Sequence, residues 1–180
     1  LMSMYAKFAP VMAISTPEHV AQFVATQPEL DEYVAHVREF HEAAAAIQAT
    51  SEDTELFALL SVDTRPAKAD LRAKALEVRD ALLENVILVA RTQNEQWIAR
   101  YEQILARIDE KPANEAELQA LKDFIEESKR EILQTISDVE AMHGRLATLD
   151  EFCYRVPPED VHLAWSTMKY PKRVHDAANE

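Results

Sequence analysis

Apolar residues recur at spacings of three and four along most of this chain, the signature of helices that each bury one stripe. In "TQPELDEYVAHVREFHEAAAAIQA", Leu30, Tyr33 or Val34, Val37, Phe40, Ala44 and Ile47 share a face and predict a helix from about Pro28 to Ala49. Upstream, "STPEHVAQFVA" predicts a short helix with Thr16 as N-cap and Pro17 at the first helical position. The polar "TSEDTE" breaks the pattern. A short apolar run, Leu56 to Val62, then predicts an extended segment lying flat against a helix, with Asp63 or Thr64 capping the next helix.

From there no helix breaker occurs until Pro112. Leu71, Ala75, Val78, Leu82, Val86 and Val89, continued by Gln93, Trp97, Tyr101, Ile104 and Ile108, form one stripe. About 43 residues at 1.5 Å each predict a rod of roughly 65 Å. "KPANEAEL" is a turn and a new start, with Asn114 as N-cap and Glu115 and Glu117 in the first turn, where the helix dipole favours negative charge. The helix beyond it keeps a strict heptad through Leu118, Leu121, Ile125, Ser128, Ile132, Thr135, Val139, Met142, Leu146 and Leu149. So narrow a seam suits one partner, and the short link through Pro112 makes the preceding rod that partner, antiparallel. Leu118, Leu121, Ile125, Ile132, Val139 and Leu146 are the predicted hairpin seam. The end, "LDEFCYRVPPEDVHLAWSTMKYPKRVHDAANE", differs from all that precedes it. It predicts two short helices started by Pro157 and Pro158 and by Pro171, with Val161, Trp165 and Met168 on one face. The predicted fold class is all-α: an elongated helical bundle with a long antiparallel, coiled-coil-like hairpin and a short Pro- and aromatic-rich helical C-terminal segment.

Composition narrows the function. With 19 basic against 32 acidic residues the net charge is -13, which repels phosphate backbones and anionic lipid alike, so neither nucleic acid nor membrane is an expected partner. No apolar run approaches the roughly 20 residues a bilayer span needs, and "LMSMYAKFAPVMAIS" lacks the basic start of a secretion signal. A cytosolic protein is expected, and the opening Leu1 suggests a piece of something longer. The lone glycine, Gly144, sits in a helical pattern, so phosphate-cradling glycine loops are absent and a sheet-rich fold is not expected.

Candidate chemistry is sparse. Cys153 is the only cysteine, which excludes an internal disulfide and a Cys-based zinc site; between Phe152 and Tyr154 it reads as a partly buried, inert thiol. "FHEAAAAIQ" begins like a zinc-protease helix, but Ala45 stands where the second histidine belongs. His36 and His41 are five apart and off one another's face, and exposed histidines on a polar helix are the plainer reading. A solvated face likewise explains Glu29, Glu32 and Glu39 beside His36. His143, His162 and His175 have no ligand-spaced companions. Trp97 and Tyr101, at i and i+4, read as seam packing before a binding platform. No catalytic residues, metal ligands or cofactor contacts are predicted.

The order of these features resembles the axonemal dynein heavy chains, in the region just before and entering the linker. That family pairs a Pro-Thr-Glu-Glu-Leu type turn with a downstream Leu-Asp-Glu-Phe, then an aromatic, an acidic pair, a Trp and a Trp-Pro. Here "LLSVDT", "RTQNEQWIARYEQI" and "KPANEAELQALKDFIEE" precede "LDEFCYRVPPEDVHLAWSTMKYPKRV". Lys111, Pro112, Glu117 and Leu118 match the turn, and Leu149, Asp150, Glu151, Phe152 and Tyr154 the next element. Glu159, Asp160 and Trp165 come next in register. The departure is Tyr170, where the family often has a second Trp before Pro171. The resemblance covers roughly residues 56 to 180.

It implies a non-catalytic piece of an ATP-driven microtubule motor of cilia and flagella, with the AAA+ ring, ATP sites and microtubule-binding stalk elsewhere in the heavy chain. Residues 1–55 would be tail helices, 56–150 an extended segment plus the hairpin, and 151–180 the start of the linker. Phe152, Tyr154, Trp165 and Pro171 would form the junction that fixes the angle at which force passes on. Implied partners are dynein intermediate or light chains, neighbouring arms and the rest of the heavy chain; microtubules and ATP enter only through the parent motor. The alternative is a helical scaffold or coiled-coil adaptor binding through the 118–149 seam or the Trp165 face. An enzyme ranks third.

Overall fold

The computed structural model describes residues 8–50, 54–57 and 60–178. In chain order these form α1 (Ala9–Met12), α2 (Thr16–Ala25), α3 (Leu30–Ala49), β1 (Thr54–Phe57), β2 (Leu60–Asp63), α4 (Arg65–Ile108), α5 (Glu115–Glu151), α6 (Pro158–Thr167) and α7 (Tyr170–Ala177). The fold is all-α, interrupted by one antiparallel two-stranded hairpin in the register Thr54↔Asp63 to Phe57↔Leu60. The expected extended segment is thus a hairpin, while its packing against a helix concerns side chains outside the described residues. Two compact units divide the chain within α4, Leu1–Asn85 and Val86–Glu180.

In the first unit α2, α3 and the start of α4 are tied by polar contacts as much as by apolar ones. Val37, Phe40, Ala44 and Ile47 are the buried face of α3, and Ile47 joins Phe8 and Leu71 in a core cluster. Thr16 is not the N-cap. It is the first helical residue after Ser15, and its hydroxyl donates to Glu77 Oε1 (2.6 Å) while accepting from Lys74 Nζ (2.8 Å), so α4 takes the oxygen that would otherwise cap α2. Helix α3 starts two residues later than Pro28, because Glu29 and Glu32 form a reciprocal capping box. Tyr33 Oη donates to Asn85 Oδ1 at 2.6 Å. At the entry to α4, Asp63 accepts the Arg65 backbone N–H and guanidinium, which hold its carboxyl down at about 2.

The second unit is built on the antiparallel pair α4–α5. Asn114 caps α5 as expected, its side chain accepting from Glu117 N at 2.8 Å. Arg100 makes a bidentate pair with Glu131 at 2.7 Å on both arms, and Tyr101 and Ile104 share a core with Ile132. Ile108 packs nearer the turn and Trp97 nearer the far end, where Asp138 and Met142 face it. Helix α7 closes this core with Val174, and its Tyr170 ring stacks on Tyr101 at 5.7 Å and 9°.

Along α4 the stripe is broader than predicted. Leu71, Ala75, Val78, Leu82 and Val86 are buried as expected, and a second row one residue on, Leu83, Ile87, Ala90 and Asn94, is buried as well before Tyr101 and Ile104. Val89 and Gln93 are only half-buried. A straight α-helix drifts about 20° per heptad against an alternating three–four pattern, so burial passes gradually from one row to the next. Asn94 reads as polar yet is 3% exposed, its Nδ2 donating to the Ala90 carbonyl at 2.8 Å.

Candidate functional site

The C-terminal aromatic segment is organised by the way α5 stops. Cys153 N donates to Asp150 O and Tyr154 N to Leu149 O, each at 3.0 Å, while Cys153 takes φ 52°. This is a Schellman closure with cysteine in the left-handed position that glycine ordinarily occupies. The turn faces Cys153 outward, so the thiol is exposed and not partly buried as the sequence suggested. Pro157 and Pro158 then start α6.

An ion pair fastens helix α6 to α4. Arg91 on α4 donates through Nε and Nη2 to the two Asp160 oxygens at 2.6 and 2.7 Å. Asp160 is 6% exposed, and this carboxylate raises the already basic Arg91 further. With one face held down, Val161, Trp165 and Met168 lie on the opposite, open face, and Trp165 is 60% exposed. Together with Leu146, Tyr154 and Val156 they line a half-open groove of about 560 Å³.

The four expected junction residues differ in exposure, and Tyr154 and Trp165 line the same groove. Phe152 is buried, Tyr154 and Pro171 are half-buried, and Trp165 faces outward. Pro171 is the second residue of α7 and helps start the helix that carries Tyr170 and Val174 into the core. Tyr170 Oη donates to Glu102 Oε1 at 2.9 Å, and burial with this carboxylate raises its phenol, while Arg173 lies 4.8 Å above the ring.

Of the seam positions, Ile132 and Val139 are buried and Leu121, Ile125 and Leu146 half-buried. Leu118 is 41% exposed: α4 ends at Ile108, so no facing helix remains at its level. Ser128, polar in an apolar seam, is buried with an unpaired hydroxyl. Trp97 and Tyr101 pack in the seam as expected, with burial raising the Tyr101 phenol.

His36 is not a solvated surface histidine. It stacks on Phe23 at 4.5 Å, and its Nε2 lies 2.8 Å from His19 Nε2, a contact between α2 and α3 that spacing within one helix could not disclose. Glu39 Oε2 faces the other ring nitrogen at 3.3 Å, and burial, then the neighbouring imidazole, lower His19 below its ordinary 6.5. His41 is exposed, its Nδ1 3.3 Å from Arg79 Nη1. The His143 side chain lies outside the described residues. Among the described residues no three His, Cys, Asp or Glu side chains gather to hold a metal, and no helix is long and apolar enough to cross a membrane.

No family model matches the chain. It is similar to a human protein named dynein axonemal heavy chain 3, with 24% identity over 127 residues, 71% of this chain. The chain spans about 3% of that relative's length.

Proposed function

We propose that this chain is a non-catalytic segment of a dynein-type heavy chain, a helical connection that passes force between a cargo-anchoring tail and the linker. The observation that carries this reading is the 127-residue likeness to an axonemal dynein heavy chain. The open face of Val161, Trp165 and Met168 supports it: the Arg91–Asp160 pair fixes α6 from one side and leaves an aromatic anchor on the other, the side on which a further element would seat. In this reading the segment holds no cofactor, and ATP and microtubules belong to the rest of the motor. Its partners are the remaining heavy chain, intermediate or light chains and neighbouring arms, and it resides in the axoneme of a cilium or flagellum.

The test is Trp165→Ala in the full-length heavy chain, scored by microtubule gliding and ATP turnover together. Force transmission predicts slower gliding with ATP turnover retained. Unchanged gliding, or parallel loss of both, would sink the proposal. The same exposed face also favours a second reading, an adaptor that docks a separate protein there; unchanged gliding with loss of a co-purifying accessory chain would favour it.

A further inference from the structure

Helices α2 and α3 meet through five rings, two of them the imidazoles of His19 and His36. Phe23 stacks on His36 at 4.5 Å and stands edge-on to Tyr33 at 4.9 Å, while Phe40 stands edge-on to His19 and His36 at 5.6 and 5.2 Å. At the centre His19 Nε2 lies 2.8 Å from His36 Nε2. One of these nitrogens donates and the other accepts, since a neutral imidazole offers one of each. Glu39 Oε2, 3.3 Å from His36 Nδ1, favours a proton on that nitrogen and so leaves His36 Nε2 to accept from His19. The contact tolerates one added proton, because a charged His19 still donates through Nε2. With both rings charged each Nε2 carries hydrogen, nothing accepts, and two positive charges face each other. One carboxylate opposes that repulsion: Glu39, whose side chain is 72% exposed and screened by water. Glu18, beside His19 on α2, is exposed. Lys74 and Glu77 reach α2 from α4 at Thr16, and Arg79 reaches α3 at His41; these groups bond to neither imidazole of the pair.

We infer that the His19–His36 pair is a proton-operated latch, closing α2 on α3 while the two rings carry at most one positive charge and releasing α2 when both are charged. The Thr16 hydroxyl, held by Glu77 and Lys74, keeps the first turn of α2 on α4. Release therefore swings the Phe23 end away and uncovers the Tyr33–His36–Phe40 face of α3. The sign follows from linkage: in the open form the imidazoles are apart and hydrated, so it binds more protons than the closed form, and acid favours it. Burial, then the neighbouring imidazole, lower His19, as a closed pair that resists a second charge requires. The opening is local, because α2 is only ten residues long and the buried face of α3 stays in its own core. This inference does not depend on the dynein reading, because every group it uses lies within residues 16–79.

The experiment is hydrogen-exchange mass spectrometry on the 180-residue chain at pH 7.5 and 5.5, with rates corrected for the intrinsic pH dependence of amide exchange. Amides of residues 16–25 should lose protection several-fold at the lower pH, while those of α5, the control for any general effect of acid, keep theirs. His36→Phe keeps a ring for Phe23 and leaves His19 no like charge to meet, so protection of 16–25 should become the same at both pH values. His19→Phe, beside Phe40, should do likewise. Proton NMR of the unsubstituted chain gives a reading that needs no variant: the Phe23 ring resonances should move with the second of the two imidazoles to titrate. Protection of 16–25 that does not change with pH overturns the inference, because the rings would then part by side-chain rotation with α2 still seated. So does a loss that persists in both variants, or a Phe23 ring that ignores the second titration, because acid would then act on α2 from elsewhere.

Discussion

The two compact units differ in how much apolar surface they leave open. In Leu1–Asn85 an apolar core is joined by mutually satisfied polar contacts, Thr16 with Lys74 and Glu77, Tyr33 with Asn85, His19 with His36 and, through it, Glu39, and Met12 is the large apolar side chain exposed among the described residues. In Val86–Glu180 the interior is apolar but incomplete, and Leu118, Leu133, Val161, Trp165 and Met168 stay exposed. Burial of an aromatic such as Trp165 is among the largest gains a partner can collect. An interacting surface is therefore expected on the second unit.

The comparison breaks most decisively through the cores. Ile104→Ala, in the fully buried Tyr101 cluster, should cost about 3 kcal/mol, within the range for deleting a large buried aliphatic group. Leu82→Ala, equally buried but in the first unit, should cost a similar amount. Urea unfolding monitored by Trp97 fluorescence, in a Trp165→Phe background, separates them. Trp97 packs on the Tyr101 cluster, so independent units predict that Ile104→Ala moves the transition and Leu82→Ala does not. If both move it equally, the units unfold as one.

Next comes the ion pair that fixes α6. Asp160→Ala removes a carboxylate that is 6% exposed and strands the Arg91 guanidinium beside the Asp160 pocket. It should lower the melting temperature more than Glu131→Ala, whose partner Arg100 is 47% exposed and whose pair is screened by water. Equal losses would show that α6 is held by its apolar contacts alone. A smaller gain is expected from Cys153→Gly. A left-handed residue bearing a Cβ is strained, and glycine there should stabilise the α5 terminus by about 1 kcal/mol, read from the urea midpoint.

Periodicity was enough to draw α3, the α4–α5 pair and the Asn114 cap, because each depends on residues near in sequence. The features it could not draw depended on the choice of partner. The second buried row at Leu83 and Ile87 needs knowledge of which neighbour each turn of α4 faces, since both rows are apolar there. The His19–His36 contact joins two helices across a turn, and neither helix alone marks its histidine. Leu118 satisfies the heptad but lies past the end of the facing helix, so pattern and burial part company. Ser128 was visible only as a polar residue in an apolar seam, and that it is buried there depends on the helix it faces.

The smallest expected effect tests whether the closure of the first unit is as polar as its contacts indicate. His19 is lowered below 6.5 by burial and then by His36, with Glu39 opposing; Lys74 and Glu77 meet the same helix one turn away, at Thr16. A histidine whose folded value lies below its unfolded one makes the unfolded chain bind more protons in that interval. Its stabilising contribution is therefore complete above pH 6.5 and drains away as pH falls from 6.5 through the lowered value. The carboxylates held low by partners, Asp63 at about 2 with Glu77, Glu126 and Glu131, lose their contributions only below about 4.5, in a separate window. Urea midpoints at pH 7.5 and 5.5 should thus show a small loss at the lower pH, since His19 is only half-buried. His36→Phe keeps an aromatic ring for Phe23 and removes the second imidazole, so it should shrink the loss. An equal loss in that variant would place the pH dependence outside the histidine pair and leave the first unit closed by its apolar face.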